Sequence, residues 1–327
     1  MKAILPVAGA GTRLRPHTHT MPKALVHVAG KPILGHIIDQ IVPAGVDELV
    51  LVVGHLGEKI VEYVKGAYPL RVHVVEQAER KGLGHAIYLT EGVVRPEEPV
   101  LIVLGDTIFR GDLNAALAAG TSTIGVAEVE DPRSFGVVEL DGDRIVRLVE
   151  KPQVPPSNLA IVGVYYLKES ARLYAALRYV VESGLRTRGE IQLTDALQVM
   201  VDRGEEMSVF RVSEWLDCGS PETLLETNRK LLAGAPFPEH VRERAVIIPP
   251  VYIAPTAEVS QCVLGPYVSV ADGARVQRAV VRNSIINREA QVSDILLTDS
   301  IIGERAGVGG SYTRLNVGDS SEMRSVG

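Results

Sequence analysis

The first 232 residues alternate between short apolar runs and longer segments in which apolar residues recur at helical spacing. Continuous β-branched and aliphatic runs predict strands at 3–7, 49–53, 72–75 and 100–104. Amphipathic helices are predicted between them, at 33–44, 58–66 and 84–94. Strands that are apolar at successive positions are typical of parallel sheets covered on both faces. The alternation therefore predicts βαβ units around a mainly parallel, Rossmann-like sheet.

The pattern changes after residue 122, where short apolar runs follow one another closely. They lie at 123–128, 136–140, 143–148 and 159–166, with turn residues such as Asp141 and Gly142 between them. Helices return at 171–183, 193–202 and 221–232, with a strand at 207–212. We therefore predict one α/β domain over residues 1–233 that carries a small antiparallel annex.

A different repeat begins after residue 248. Apolar residues recur there every five or six positions: Val259, Leu264, Val270, Val276, Val281, Ile286, Val292, Leu297, Ile302 and Val308. Neither a helix nor a flat strand has this period, whereas each short side of a β-helix coil contributes one inward residue. A set of ordinary hairpins is the alternative. We predict a linker at 234–248, a left-handed parallel β-helix of hexapeptide type at 249–318 and a tail at 319–327.

Composition limits the classes of partner. The chain has 327 residues, 46% hydrophobic and 23% charged, with a net charge of −6. This charge argues against nucleic-acid binding, which needs clustered cations, although one pocket can be basic on an acidic protein. Two cysteines, Cys218 and Cys262, indicate a reducing compartment. With no leader and no apolar run long enough to span a membrane, we expect a cytoplasmic protein without a membrane partner.

The first strand runs into a glycine-rich loop, Ala8 to Arg13. Glycines such as Gly9 and Gly11 let backbone N–H groups converge on an anion, and two cations, Arg13 and Lys23, follow within the same segment. The loop therefore predicts phosphate binding. It lacks the third glycine of a dinucleotide fingerprint, since Leu14 stands there, and it lacks the Gly-Lys-Ser/Thr end of a P-loop.

Two aspartates are candidates for a metal site. Asp106 follows the strand at 100–104, so it is expected at the same sheet edge as the glycine loop. A carboxylate beside a phosphate site needs a cation between them, which favours Mg²⁺. Asp217 is the second candidate, because magnesium commonly takes one or two carboxylates. The alternatives are a turn cap for Asp106 and a helix N-terminal acid for Asp217.

Three further polar residues are candidates for substrate binding. Glu150 and Lys151 follow a predicted strand, where a carboxylate can accept hydrogen bonds from sugar hydroxyls and a lysine can hold a phosphate. An exposed ion pair at a turn is the alternative. Gln77, ahead of the glycine-rich segment 81–86, has an amide that can pair with the edge of a pyrimidine.

These motifs together resemble a known family. The segments are GAGTRLRP from Gly9, PKAL from Pro22, KGLGHA from Lys81, LGD from Leu104, FGVVEL from Phe135, EKP from Glu150, RGEIQLTDA from Arg188 and WLDCG from Trp215. In this order they resemble the sugar-1-phosphate nucleotidylyltransferases. The resemblance is greatest to glucose-1-phosphate thymidylyltransferases that carry a C-terminal left-handed β-helix.

The resemblance implies a role for each matching position. The catalytic residues would be Arg13 and Lys23, and the metal ligands for Mg²⁺ would be Asp106 and Asp217. The nucleotide-binding residues would be Gly9, Gly11, Thr12, Gln77 and Gly82. The sugar-phosphate side would be formed by Gly136, Glu150, Lys151, Ile161 and Arg188.

The activity that the resemblance implies is transfer of a nucleotidyl group to a sugar 1-phosphate, with glucose 1-phosphate expected. The donor is dTTP or UTP, since PKAL and EIQLTDAL also resemble the uridylyl enzymes. The rival is a regulatory subunit of the same fold that senses nucleotides or sugar phosphates without turnover. We expect the β-helix to support a homo-oligomer rather than acyl transfer, because no histidine follows His240.

Overall fold

The computed structural model describes residues 1–234, 236, 238–241 and 244–310. The chain divides into two compact units, Met1–Thr227 and a second that begins at Asn228. The predicted domain boundaries stay predictions. The end of the predicted β-helix, 311–318, and the predicted tail lie outside the described residues.

Most helices begin and end within a few residues of the predicted positions. They are α1 (Ile33–Ile41), α2 (Gly57–Ala67), α3 (Leu83–Tyr88), α4 (Leu113–Ala118), α5 (Ser170–Glu182), α6 (Leu193–Asp202) and α7 (Pro221–Leu232). Helix α4 was not predicted, because it is short and has an alanine-rich pattern of low amphipathicity.

Thirteen strands precede the second unit. They are β1 (Lys2–Pro6), β2 (His27–Val28), β3 (Lys31–Pro32), β4 (Glu48–Val53), β5 (Arg71–Glu76), β6 (Val100–Val103), β7 (Thr107–Arg110), β8 (Ser122–Glu128), β9 (Gly136–Asp141), β10 (Arg144–Glu150), β11 (Leu159–Leu167), β12 (Met207–Arg211) and β13 (Glu214–Asp217).

Nine of these strands form one mixed sheet in the order β5-β4-β1-β6-β11-β8-β12-β10-β9. The first four are parallel to one another, as the βαβ pattern predicts. Strand β11 then runs antiparallel to both β6 and β8. The fold class is confirmed, and the strands of the predicted antiparallel annex extend the parallel part of the same sheet.

Burial of the parallel strands depends on their place in the sheet. The central strands β1 and β6 are almost fully buried, as expected for strands covered on both faces. Strand β5 lies at the sheet edge and is only half-buried, with Val74 48% exposed. Coverage of both faces is therefore confirmed for the centre of the sheet and not for β5.

A two-stranded ribbon lies outside the main sheet. In it β7 pairs antiparallel with β13, so that Asp217 lies opposite Thr107. The sequence analysis predicted neither strand, because each has only four residues and follows closely on another strand. The ribbon brings the sequence after β6 against the sequence before α7.

The second unit is a parallel β-helix. Its strands are β14 (Ala245–Ile247), β15 (Val251–Ile253), β16 (Glu258–Ser260), β17 (Cys262–Leu264), β18 (Val268–Val270), β19 (Arg275–Gln277), β20 (Val280–Arg282), β21 (Ser284–Ile286), β22 (Gln291–Ser293), β23 (Leu296–Thr298), β24 (Ile301–Ile302) and β25 (Gly307–Gly309). They form three parallel sheets of four strands each.

The predicted apolar repeat forms the core of this β-helix. One column stacks Val259, Val276, Val292 and Val308 in register. The other predicted positions stack in the two remaining sheets, and all ten belong to one apolar cluster. The five-to-six residue period is therefore confirmed as a β-helix signal, while its left-handedness stays a prediction. Strand β14 lies within the predicted linker.

The stacked core gives a stability prediction. Ile286 is fully buried in the β-helix, whereas Ile248 is 44% exposed. We expect Ile286→Ala to lower the free energy of unfolding by about 2–5 kcal/mol, because the truncation leaves a cavity between coils. Urea denaturation measures it, with Ile248→Ala as the matched control. Equal losses for the two variants would contradict the assigned core.

Candidate active site

The glycine loop is folded back on the segment that carries Lys23. Gly11 has a φ of 59°. A Cβ at Gly11 would lie 2.9 Å from Thr18 Cγ2 and 3.0 Å from Lys23 Cβ, so only glycine fits. The Thr18 hydroxyl donates a hydrogen bond to the Gly11 carbonyl at 2.7 Å. Buried Leu14 ends the 3₁₀ turn that follows Gly11. Apart from its chain neighbours, no described residue lies within 4 Å of the Cβ position of Gly9.

Asp106 lies beside this loop because the ends of β1 and β6 approach closely. A Cβ on Gly105 would lie 2.4 Å from Val7 Cγ1. The Lys23 ammonium donates to Asp106 Oδ2 at 2.6 Å, across 83 residues of sequence. The side chain of Lys23 is 12% exposed and that of Asp106 is 39% exposed. The predicted catalytic cation and a predicted metal ligand are therefore in direct contact.

Arg13 and Asp217 lie on the same side of the fold as this pair. A Cβ on Gly219 would lie 2.9 Å from Asp217 Oδ2 and 3.1 Å from an Arg13 guanidinium nitrogen. The ribbon register puts Asp217 opposite Thr107, the neighbour of Asp106. The four residues predicted for catalysis and metal binding thus come together from three separate regions of the sequence.

The thiol of Cys218 is enclosed by this cluster. Burial is the main cause that raises its pKa, to about 12, and the nearby carboxylates of Asp217 and Asp106 raise it further while Lys23 lowers it. A thiol with this pKa stays protonated at neutral pH and is a poor nucleophile. Cys218 therefore packs beneath the site and takes no covalent role.

Three of the predicted sugar-side residues meet in one cluster. A Cβ on Gly136 would lie 3.0 Å from Ile161 Cδ1 and 3.1 Å from Glu150 Oε2. The side chain of Glu150 is only 10% exposed and is held at both oxygens. Thr194 donates its hydroxyl to Oε2 at 2.7 Å, and Lys151 places its ammonium 3.2 Å from Oε1. The carboxylate is therefore fixed in orientation.

Arg188 reaches this cluster through the backbone of Lys151. Both residues have positive φ, 55° and 43°, which is strained for a residue with a side chain. The Arg188 guanidinium donates to the Lys151 carbonyl at 2.8 Å, and the Lys151 N–H donates to the Phe135 carbonyl at 3.0 Å. Arg188 thus supports the turn that carries Lys151.

An aromatic contact joins the sugar-side cluster to the ribbon. The rings of Phe135 and Trp215 meet edge to face with centroids 4.8 Å apart. Phe135 directly precedes Gly136, and Trp215 lies two residues before Asp217. The motifs FGVVEL and WLDCG are therefore neighbours in space.

Asp195, which was not predicted as a site residue, lies near Glu150. Burial raises the pKa of the Asp195 carboxyl, a hydrogen bond from Thr187 lowers it, and the negative charge of Glu150 raises it. Its Oδ2 atom is buried without a hydrogen-bond partner among the described residues. A leucine-threonine-aspartate sequence at the start of a helix gives no signal for such a contact, since an acid there is common.

The predicted base-binding residues lie in a compact turn. Gln77 is buried, and its amide nitrogen donates to the Gly82 carbonyl at 3.1 Å. Gly82 has a φ of 108°, and a Cβ there would lie 2.4 Å from the Ile191 carbonyl oxygen. The Gly84 N–H donates to the same carbonyl at 2.8 Å. The segment KGLGHA is thus packed directly on the segment EIQ.

A pocket opens beside the glycine loop. It is lined by Gly9, Ala10, Arg15, Thr18, His19, Pro22, His55, Leu56 and Arg80. Within the part of the chain that the structure describes, Arg15 and Arg80 form no ion pair. The sequence analysis missed both arginines, because nothing in their spacing distinguishes them from surface charges. Two unpaired cations favour an anion in this pocket.

The carboxylate pair is suited to a metal ion that also binds phosphate. Across residues 1–234, 236, 238–241 and 244–310, no group of three or more His, Cys, Asp or Glu side chains converges as a metal site. Asp106 and Asp217 stay predicted ligands; their carboxylates are of the type that magnesium prefers, and magnesium commonly completes its shell with phosphate oxygens and water. Asp106 Oδ2 already pairs with the Lys23 ammonium at 2.6 Å.

Comparison with known proteins gives relatives along most of the chain. The protein is 30% identical to the low-salt glycan biosynthesis nucleotidyltransferase Agl11 of Haloferax volcanii, over 99% of this chain and 100% of that protein. It is 33% identical to the glucose-1-phosphate thymidylyltransferase of Streptomyces antibioticus, over 94% of this chain and 93% of the relative.

A solved structure supports the same relationship. The crystal structure of UDP-glucose pyrophosphorylase complexed with UDP-glucose superposes with a TM-score of 0.61 at 27% identity, covering 70% of this chain and 97% of that one. The sequence profile of the nucleotidyl transferase family matches residues 2–234, which include every site residue described above. The chain belongs to the nucleotidyl transferase family.

Proposed function

We propose that this protein transfers a nucleotidyl group from UTP or dTTP to a sugar 1-phosphate, releasing pyrophosphate. The observation that carries the proposal is the contact of Lys23 with Asp106 beside the glycine loop, with Arg13 and Asp217 adjacent. The names of the relatives favour glucose 1-phosphate as the acceptor and leave both donors open, since they include a thymidylyltransferase and a UDP-glucose enzyme.

The reaction needs positioning more than covalent chemistry. An oxygen of the sugar 1-phosphate attacks the α-phosphorus in line, and the bond from that phosphorus to the bridging oxygen of pyrophosphate breaks. Two anions must therefore be held together while negative charge redistributes. The loop N–H groups and Arg13 neutralise the triphosphate, and Lys23 is placed for the transferring group. No protein nucleophile is required, which agrees with the protonated thiol of Cys218.

We propose Mg²⁺ as the cofactor, with Asp106 and Asp217 as its protein ligands. When bound, the ion would neutralise phosphate oxygens and hold them in a fixed geometry. Asp106 also orients the Lys23 ammonium, which donates a hydrogen bond of 2.6 Å to its Oδ2 atom. Gly219 leaves room for Arg13 next to Asp217.

The sugar side is proposed at the cluster of Gly136, Glu150 and Ile161. Glu150 accepts hydrogen bonds from sugar hydroxyls with the lone pairs that Thr194 and Lys151 leave open. Lys151 holds the attacking phosphate as a point charge. A side chain at Gly136 would fill the space between Ile161 and Glu150.

The sensing subunit remains the second candidate from the sequence. A protein that only binds nucleotides has no need of two carboxylates brought together from distant parts of the sequence. It also has no need of a lysine in contact with one of them. The convergence of Asp106, Asp217 and Lys23 therefore favours an enzyme.

A pyrophosphate-release panel tests the proposed activity. UTP, dTTP, ATP and CTP are each combined with glucose 1-phosphate and N-acetylglucosamine 1-phosphate, with and without Mg²⁺. We expect release with UTP or dTTP that depends on both the sugar 1-phosphate and the metal. No release with any pair would refute the enzyme and favour the sensing subunit.

The Lys23–Asp106 pair gives a rate prediction. We expect Lys23→Ala and Asp106→Asn each to lower kcat by about 10²- to 10³-fold, as for loss of one charge-stabilising group in other enzymes. The matched controls are Lys31→Ala and Asp39→Asn, which break an ion pair between β3 and α1 outside the site. Near wild-type turnover in a folded Lys23→Ala or Asp106→Asn protein would contradict the assignment.

We further propose that the protein forms a homo-oligomer through the β-helix. We also propose the cytoplasm as its location. An apolar row on one sheet supports it, in which Val246, Val263, Val280 and Leu296 stack in register. Leu296 is 77% exposed. A second copy of the chain offers the same row. No described helix is long and apolar enough to cross a membrane.

Light scattering tests this assembly. We expect the wild-type protein to have the mass of two or more chains. Leu296→Glu should reduce that mass, because a charge cannot be buried unpaired in an apolar interface. Val74→Glu, on the exposed edge strand β5, is the control and should leave the mass unchanged. A monomeric wild-type protein would refute the proposal.

A further inference from the structure

The side-chain amide of Gln77 has an orientation that its neighbours determine. Its nitrogen lies 3.1 Å from the Gly82 carbonyl oxygen and 3.3 Å from His85 Nδ1. A carbonyl oxygen only accepts hydrogen bonds, so the amide group facing it must be the NH₂. Turning the amide over would place two oxygens against each other in a buried position, which is unfavourable.

His85 must then act as an acceptor. With the NH₂ of Gln77 facing Nδ1, this ring nitrogen carries no proton, and the imidazole is neutral with its hydrogen on Nε2. Burial is the main cause that lowers the pKa of His85. The nearby charges of Lys81 and Arg186 lower it further, and Glu79 raises it. The ring is therefore neutral at pH 7, as the contact requires.

The oxygen of the same amide is left for a ligand. Among the described residues, no group donates a hydrogen bond to Gln77 Oε1. An open amide oxygen accepts from an N–H donor and repels a lone pair. Uracil and thymine carry an N–H at the ring nitrogen between their two carbonyl groups, whereas the corresponding nitrogen of cytosine has a lone pair.

We infer that His85 is a positioning residue that holds Gln77 with its amide oxygen toward the base, so that the site selects uracil or thymine and rejects cytosine. The inference rests on the proposed function for the presence of a nucleotide at Gln77. The KGLGHA turn supplies both groups that orient the amide, because the Gly82 carbonyl and the His85 ring contact the same NH₂ group. His85 touches no reacting atom and acts only through Gln77.

Equilibrium binding tests the inference without turnover. Calorimetric titrations measure dissociation constants for UTP and CTP, with Mg²⁺, on the wild-type protein and on His85→Phe, which keeps a ring and removes the acceptor. We expect UTP to bind more tightly to the wild type. Discrimination is the ratio of the dissociation constant for CTP to that for UTP. In His85→Phe this ratio should fall by about 3- to 10-fold, the effect of one lost hydrogen bond.

A rescue variant separates orientation from packing. His85→Asn restores an acceptor oxygen close to the position of Nδ1 and should keep most of the wild-type discrimination. His73→Phe makes the same change at a histidine that contacts Glu48 on a neighbouring strand, and it should leave the ratio unchanged. If His85 had a purely structural role, the Phe and Asn variants would change the dissociation constants of UTP and CTP by the same factor.

The pH dependence of the ratio is a further readout. Protonation of His85 places an N–H against the Gln77 NH₂, so the ratio should fall when His85 becomes charged. Because the pKa of His85 is lowered, this fall should occur below the ordinary histidine range. Protonation of the triphosphate affects UTP and CTP alike and cancels in the ratio, whereas protonation of the cytosine ring nitrogen affects CTP alone. The His85→Asn protein keeps Glu79, Lys81 and Arg186 and measures that contribution, so the ratio should fall less with decreasing pH in this variant than in the wild type.

The outcomes distinguish this inference from the proposed function. Wild-type protein that binds CTP as tightly as UTP, or a folded His85→Phe protein with an unchanged ratio, overturns the inference even if pyrophosphate is released. A ratio that follows the prediction upholds it even if no sugar 1-phosphate is turned over.

Discussion

The contact between Lys23 and Asp106 is the interaction on which the site depends. It joins the segment that follows the glycine loop to the turn after β6, across 83 residues of sequence. An ammonium and a carboxylate that are partly removed from water stabilise each other only at short distance, so the pair constrains where both elements end. Arg13 and Asp217 then join the same cluster through Gly219.

The glycines of the motifs make these approaches possible. Gly11 lets the loop fold against Thr18, and Gly105 lets the chain after β6 pass Val7. Gly82 does the same against Ile191, and Gly136 leaves space beside Glu150. In each case a methyl group would collide with a neighbouring atom or fill the space around a polar group. The glycine-rich segments therefore position side chains that lie elsewhere in the sequence.

The sequence predicted those parts of the fold that rest on local periodicity. The parallel strands and most helices follow from runs of apolar residues, and the β-helix columns follow from a repeat that places Val259, Val276 and Val292 in register. The ribbon of β7 and β13 was missed, because pairing between segments about a hundred residues apart depends on the tertiary fold. Strand β5 was wrongly predicted to be covered on both faces. Its composition does not reveal that it lies at the edge of the sheet, where it is only half-buried.

The candidate site was predictable to a similar extent. The sequence identified Asp106 and Glu150 from their positions after strands, and Lys23 from its place in the segment behind the glycine loop. It did not identify the contact between Lys23 and Asp106 or that between Glu150 and Thr194. Arg80 and Asp195 carry no local signal, because an arginine in a charged loop and an acid in a first helical turn are common on surfaces. Their surroundings become visible only when the chain is folded.

Anomalous diffraction tests the central claim most directly. Crystals grown with UTP and Mn²⁺, which replaces Mg²⁺ and scatters anomalously, would show where the metal binds in relation to the carboxylates. The account predicts a peak coordinated by oxygens of both Asp106 and Asp217, with the triphosphate against the Gly9–Gly11 backbone. A metal bound to the triphosphate alone, with both aspartates turned away from it, would contradict the account.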